Sequence, residues 1–354
     1  MLRRTLLSLF TLAGILGLGL LIGMANPAAA QQYKTHAQDP RATQEAHVKP
    51  KLEQIVRSVV TVRSVIKSDA RTALSLGLER EGSGVLLDES GLVLTIGYLV
   101  MEAAQVEVLD SFGKRHPAKM VAYDHDSGFG LVQTENPLDL PIARLGDSGG
   151  LAEGSPAMAV SLIGDKPLTP TRVVSKRSFA GYWEYLLDEA IYTSPPHMAY
   201  GGAALFDGRG RLIGIGSLFV NDAIESDQMV PGNMFVPIDV LKPILAQLKT
   251  VGRQTGPARP WLGLYPTDAN GRVYITRLAS DGPAEAAGML PGDIVVGVEG
   301  RRVADMSDFY RKVWAAGEAG DAITLDVVRP SSGELTINQI KVSSSSRYDW
   351  LKLD

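Results

Sequence analysis

The sequence predicts a mainly β chain with two folded units, and three observations carry that expectation. Between Val59 and about Pro237, short runs rich in β-branched residues (Val59-Val60-Thr61-Val62, Leu92-Val93-Leu94-Thr95, Leu212-Ile213-Gly214-Ile215) alternate with Gly/Asp/Ser/Pro turns. That spacing is the mark of an all-β sandwich or barrel. From Ile238 to Leu248, the apolar residues Val240, Leu241, Ile244, Leu245 and Leu248 recur at helical spacing and close the first unit. Thr250 to Pro260 holds two glycines and two prolines, the composition of a linker, and a second unit of roughly 85 residues follows it.

Residues 1–30 carry the pattern of a secretory signal. Arg3 and Arg4 precede an almost wholly apolar run from Thr5 to Met24, and Ala28-Ala29-Ala30 offers small residues for cleavage after Ala30. The run is also long enough to serve as an uncleaved membrane anchor, and either outcome exports the rest of the chain to the periplasm or cell envelope. Residues 31–51 are polar and unpatterned, a flexible lead-in, and order is expected from about Leu52.

Of the 354 residues, 45% are hydrophobic and 21% charged, as in an ordinary globular protein long enough for two cores. Losing residues 1–30 removes two of the 35 basic residues and none of the 39 acidic ones, which leaves a net charge of about −6 and argues against nucleic acid as a partner. With no cysteine, disulfides, thiolate nucleophiles and Cys-based metal sites are excluded, so stability rests on packing. Nothing in the sequence calls for a cofactor.

Several stretches taken in order resemble the HtrA (DegP-like) family of trypsin-fold proteases: Gly82-Ser83-Gly84-Val85-Leu86-Leu87, Gly91-Leu92-Val93-Leu94-Thr95 and Gly210-Arg211-Leu212-Ile213-Gly214-Ile215. The resemblance covers about residues 52–342. It implies a trypsin-like double β-barrel over 52–249, with the active site in the cleft between two six-stranded barrels. Three positions depart from the family pattern. Where the family has L-T-x-x-H, Leu94-Thr95-Ile96-Gly97-Tyr98 puts Tyr98 at the His position. Gly128, in Asp124-His125-Asp126-Ser127-Gly128-Phe129, takes the Asp position, and Tyr200, in Met198-Ala199-Tyr200-Gly201-Gly202, takes the Ser position.

Shifting the register does not rescue the triad, because no His occurs between His47 and His116 and no Ser, Thr or Cys between Ser194 and Ser217. Nucleophilic acyl transfer needs a hydroxyl or thiol, a base in hydrogen-bond reach and a group to orient that base. All three are gone, and the oxyanion loop is two residues shorter than the family's. The Gly146-Asp147-Ser148-Gly149-Gly150 stretch spells a nucleophile signature, yet it lies only about twenty residues past the Asp position and fits the family's L-G-D-S turn; Ser148 reads as a turn residue. Asp124, His125, Asp126 and His197 border the family's cleft, but their spacing matches no metal motif, and solvated loop residues are the simpler reading. Tyr98 and Tyr200 read as bulk filling a vacated cleft, their hydroxyls reaching solvent or a backbone partner.

Residues 261–342 resemble a PDZ domain (α+β). Trp261-Leu262-Gly263-Leu264 looks like its carboxylate-binding loop, and Pro283-Ala284-Glu285-Ala286-Ala287-Gly288 with Pro291-Gly292-Asp293 repeats the family's P-A-x-x-A-G and P-G-D signature. Backbone N–H groups beside a glycine can converge on a terminal carboxylate while the ligand adds as a strand to a sheet edge. The facing wall is a helix from about Ser307 to Ala315 carrying Phe309 and Val313 one turn apart, with Phe309 serving groove and core equally well. Residues 343–354 are an unassigned tail whose terminal Asp354 suits an apolar pocket poorly. Two functions follow as expectations. One is a pseudoprotease of envelope protein quality control, binding polypeptide C-termini or unfolded proteins and assembling with an active relative or, as the resemblance implies, as a homotrimer. The alternative is an envelope serine endopeptidase with unrecognised catalytic residues.

Overall fold

A computed structural model describes residues 51–330 and 336–353; the signal, most of the lead-in and Asp354 lie outside the described residues. The first barrel is built from β1 (Val59–Ile66), β2 (Glu79–Leu86), β3 (Leu92–Ile96), β4 (Ala103–Leu109), β5 (Arg115–Tyr123) and β6 (Phe129–Thr134), closed in the order β1-β2-β3-β6-β5-β4. The second holds β7 (Pro156–Val160), β8 (Leu168–Gly181), β9 (Tyr185–Ser194), β10 (Ala204–Asp207), β11 (Leu212–Val220) and β12 (Gly232–Pro237), closed as β10-β11-β12-β9-β8-β7. The chain is thus mainly β, as its β-branched runs predict, and of sandwich and barrel it takes the barrel. Closure leaves neither six-stranded sheet with an open edge. The barrels meet where the Ser83 N–H donates to Gly201 O at 2.8 Å and Ser83 Oγ to Ser161 Oγ at 2.8 Å.

The helical stripe predicted over Ile238–Leu248 is broken into two pieces, Ile238–Leu241 and Leu245–Val251. Pro243 stands between them; lacking an N–H, and with a ring that crowds the preceding turn, it ends the first helix. The third sheet runs β13-β14-β15-β17-β18, from β13 (Leu264–Ala269), β14 (Arg272–Leu278), β15 (Ile294–Val298), β17 (Ala322–Val328) and β18 (Ile337–Ser343), with the short β16 (Arg301–Arg302) paired to β15. The helix Met306–Ala316, one residue longer at each end than expected, buries Phe309, Tyr310 and Val313, and its N-cap Asp305 accepts from the Asp308 N–H at 2.8 Å. Among the described strands β13 has β14 as its one neighbour, so one edge of this sheet is open.

The tail does not hang free. Trp261 and Ser345 form an antiparallel bridge, and a single helical turn, Arg347–Trp350, then returns to the first barrel. There Leu351 joins Met101 and Tyr123 in an apolar cluster, and the Trp350 and Trp261 rings lie 5.0 Å apart. The Lys352 N–H donates to Glu102 Oε1 at 3.0 Å, and Glu102 also accepts from the Arg71 and Thr72 N–H groups. Among the described residues no helix is long and apolar enough to cross a membrane.

Candidate functional site

Tyr98, Gly128 and Tyr200, predicted to share one cleft, line a single cavity of about 260 Å³ together with Tyr123, Trp183 and Tyr185. Strand β3 delivers Tyr98 on the turn Gly97–Leu99, where its hydroxyl donates to Ser217 O at 3.0 Å, the backbone partner expected for a cleft-filling tyrosine. Burial pushes the Tyr98 phenol well above its ordinary value, so it stays neutral at any physiological pH. Gly128 has φ +80°, and a Cβ there would stand 3.0 Å from the Tyr185 hydroxyl. That hydroxyl donates to Ser127 O at 2.6 Å. The position therefore disfavours any L side chain by conformation and by space.

Three N–H groups flanking Tyr200 are engaged elsewhere. Ala199 N–H donates to His197 Nδ1 at 3.2 Å, Gly202 N–H to Gly216 O at 2.9 Å and Ala203 N–H to Tyr200 O at 3.0 Å. Ser148 is buried in a reciprocal turn with Asp239: the Ser148 N–H donates to Asp239 Oδ2 at 2.9 Å, and Ser148 Oγ accepts from the Asp239 N–H at 3.0 Å. Burial would raise the Asp239 carboxyl, but Lys242, the Gly149 N–H and Ser148 outweigh it and hold it down at about 2. Ser148 is thus held by a carboxylate that caps its turn, and among the described residues no histidine is hydrogen-bonded to it.

Among the described residues, no group of three or more His, Cys, Asp or Glu side chains is arranged to hold a metal. His125 is buried and bonded by Nδ1 to the Tyr123 hydroxyl (3.3 Å) and by Nε2 to Glu184 O (3.1 Å). Burial and nearby Arg347 push its pKa well below the ordinary histidine value, so it is neutral. Asp124 accepts from the Ser127 N–H at 2.9 Å, Asp126 pairs with Arg259 at 3.3 Å, and His197 Nδ1 accepts from the Ala199 N–H at 3.2 Å while its buried Nε2 has no hydrogen-bond partner among the described residues. Each has a structural partner.

At the predicted carboxylate-binding loop, Gly263 adopts φ +78°, the left-handed conformation that turns consecutive N–H groups the same way. The N–H groups of Leu262, Gly263 and Leu264 converge on one carboxylate, at 2.9, 2.6 and 2.8 Å. It belongs to Glu184, in the turn between β8 and β9 of the second barrel. Burial pushes the Glu184 carboxyl up to about 7, against the three N–H donors and Arg347, which pull it down. Leu262, Leu264, Phe309 and Val313 are at most 1% exposed and share an apolar cluster, and Leu186 of β9 belongs to it too. Trp261, 5% exposed, packs on Trp350. Sequence reasoning did not single out Glu184: its three donors lie 78 to 80 residues away, and a lone Glu after Gly181-Tyr182-Trp183 carries no local signature.

Residues 82–215 match the model of the trypsin-like peptidase domain, and residues 260–342 that of the PDZ domain. A probable periplasmic serine endoprotease DegP-like of Pseudomonas fluorescens is 25% identical over 348 residues, which is 90% of this chain and 70% of that protein. The serine protease Do-like HtrA of Bacillus subtilis is 25% identical over 290 residues (74% of this chain, 63% of that protein). The periplasmic serine endoprotease DegP of Escherichia coli is 24% identical over 284 residues (76% and 58%). The chain therefore spans less than two thirds of the length of the latter two. Among solved structures, the HtrA-type protease AlgW with a decapeptide superposes with a TM-score of 0.51 at 19% identity, covering 84% of this chain and 98% of that one. A serine endoprotease from Yersinia pestis gives 0.50 at 19% identity, covering 84% and 97%. At such identity these two are likenesses of fold.

Proposed function

We propose that this chain, which pairs a trypsin-like peptidase domain with a PDZ domain in the manner of the HtrA/DegP family, captures polypeptide C-termini in the periplasm and does not cleave them. The observation that carries the non-catalytic half is chemical. Among the described residues no Ser or Thr hydroxyl is hydrogen-bonded to a histidine, and the cavity at the vacated triad is walled by aromatic rings. Without a base to take its proton, a hydroxyl is a weak nucleophile at neutral pH. A fluorophosphonate probe, which reacts only with an activated hydroxyl, is expected to leave the purified chain unlabelled. Stoichiometric labelling that disappears on Ser148→Ala would sink this reading.

The capture half rests on the converging N–H groups of Leu262, Gly263 and Leu264, with Trp261 behind them and the helix bearing Phe309 and Val313 opposite. We take residues 250–260 as the boundary between barrels and capture module. Export follows from the signal-like residues 1–30 and agrees with relatives named as periplasmic. Peptides with a free C-terminus and an apolar last residue are expected to bind, and their C-terminal amides to bind at least tenfold more weakly, because amidation removes the charge and one acceptor from a seat of N–H donors. Fluorescence polarisation of paired free and amidated peptides reads this directly; equal affinities would remove chain-end recognition from the proposal.

A further inference from the structure

The carboxylate seat is already filled. In a free capture module, three N–H donors aimed at one point would face water; here they face the carboxylate of Glu184, which is 3% exposed. Glu184 itself has φ +57°, a left-handed conformation that disfavours a non-glycine residue by about 1 kcal/mol, so the turn is held against a local preference. The rest of the hairpin lies along the opposing helix. Tyr310 Oη donates to Gly181 O at 2.7 Å, Arg311 reaches Asp188 at 2.7 Å, and Leu186 sits in the cluster of Leu262, Leu264, Phe309 and Val313. Yet the hairpin does not pair with β13, whose outer edge stays open. A carboxylate in the seat, an apolar side chain beside it and no strand on the edge are what a peptide's last residue would supply without the residues before it.

We propose that the β8–β9 hairpin is an internal ligand of the capture module: the Glu184 carboxylate occupies the seat of a peptide's terminal carboxylate, and a free C-terminus binds by displacing it. This rests on the capture reading above and adds its regulation. The displacing ligand differs from Glu184 in one respect that favours it, since it can also add as a strand to β13. The hairpin's gain is that it is tethered, at high effective concentration.

Protonation should tune the exchange. The charged and titratable groups facing the turn are Arg347, whose Nη1 donates to Trp183 O; Tyr310, whose hydroxyl meets Gly181 O; and His125, whose Nε2 meets Glu184 O. Burial raises Tyr310 well above 10, which keeps it neutral, and burial with Arg347 lowers His125 well below 6.5, which favours its neutral form. Glu184 docked titrates at about 7, against 4.5 when free. Docking therefore takes up a proton: the advantage of the docked hairpin is full below about pH 4.5 and is lost as the pH rises through 7.

The test titrates the full chain and its Glu184→Asn variant against a fluorescein-labelled decapeptide ending in valine with a free carboxyl, read by polarisation. Asn is at home at positive φ and too short to fill the seat. The variant is expected to bind at least tenfold more tightly at pH 6, and wild-type affinity, relative to the variant's, to rise about tenfold between pH 5.5 and 7.5. Equal affinities and parallel pH profiles, with both proteins binding, would overturn the internal ligand and leave the capture reading standing. If neither binds, the capture reading falls and takes the internal ligand with it. A second measurement guards against a variant that misfolds: in wild type, saturating peptide should speed hydrogen exchange over residues 181–186 and its amidated form should not. Unchanged exchange with bound peptide would also overturn the proposal.

Discussion

On the non-catalytic reading proposed above, placing the family's triad residues by Tyr98→His, Gly128→Asp and Tyr200→Ser together is expected to give a protein without protease activity and less stable than wild type. A trypsin-like site without its triad falls short by on the order of a million-fold in turnover, and the three side chains alone do not recover that. At Gly128 the backbone stands at φ +80° and an added Cβ would lie 3.0 Å from the Tyr185 hydroxyl, so Asp would have to move either the chain or a tyrosine bonded to Ser127 O. The Tyr98 change leaves Ser217 O without its phenol donor, and the Tyr200 change widens a cavity already about 260 Å³. Around Tyr200 the N–H groups of Ala199, Gly202 and Ala203 are spent on His197 Nδ1, Gly216 O and Tyr200 O, which keeps them from an oxyanion unless the turn is rebuilt. Casein turnover should stay at the buffer background, and the thermal midpoint should fall by about 5 °C or more. Turnover approaching that of an active HtrA-type protease would show that only side chains had been lost.

Ending the chain at Ser346 is the second large effect. The cut removes Leu351, which is 6% exposed, from its cluster with Met101 and Tyr123, and the Trp350 ring from Trp261. It also removes the Trp350 indole N–H from Ser280 O (2.9 Å), the Lys352 N–H from the Glu102 carboxylate and the Arg347 guanidinium from Trp183 O. Burying a leucine contributes roughly 1.5–3 kcal/mol, and a hydrogen bond to a buried charge about the same. Allowing for losses that do not add, about 4 kcal/mol should go, lowering the midpoint by about 10 °C in scanning calorimetry. A midpoint within 2 °C of wild type would mean that the tail rests on the barrel without holding it.

What the sequence made legible follows the range of each interaction. Barrel strands such as β1, β3 and β11 announce themselves because β-branched runs and flanking turns are local. The P-A-x-x-A-G and P-G-D stretches mark the PDZ domain for the same reason. The proposed loss of the triad rests on sequence alone, because it needs only the absence of residue types within a window. Glu184 and Glu102 could not be read: each is a buried carboxylate at positive φ (57° and 60°) whose donors come from distant parts of the chain. Along one dimension such a residue looks like any polar turn. The tail is the intermediate case. Trp350 and Leu351 showed apolar character, but nothing nearby in sequence named Trp261 or Met101 as the surfaces they cover.

The open edge of β13 is shorter than it looks, because its third residue is Pro266. Proline has no N–H, so any strand laid along this edge misses one rung of its ladder two residues beyond Leu264. Two consequences follow together. On the capture reading proposed above, a chain end could zip only briefly before the ladder is interrupted, so selection would fall on its last two or three residues and little on what precedes them. And the same gap makes the edge a poor template for a second copy of itself, which protects a chain without cysteines from pairing edge to edge.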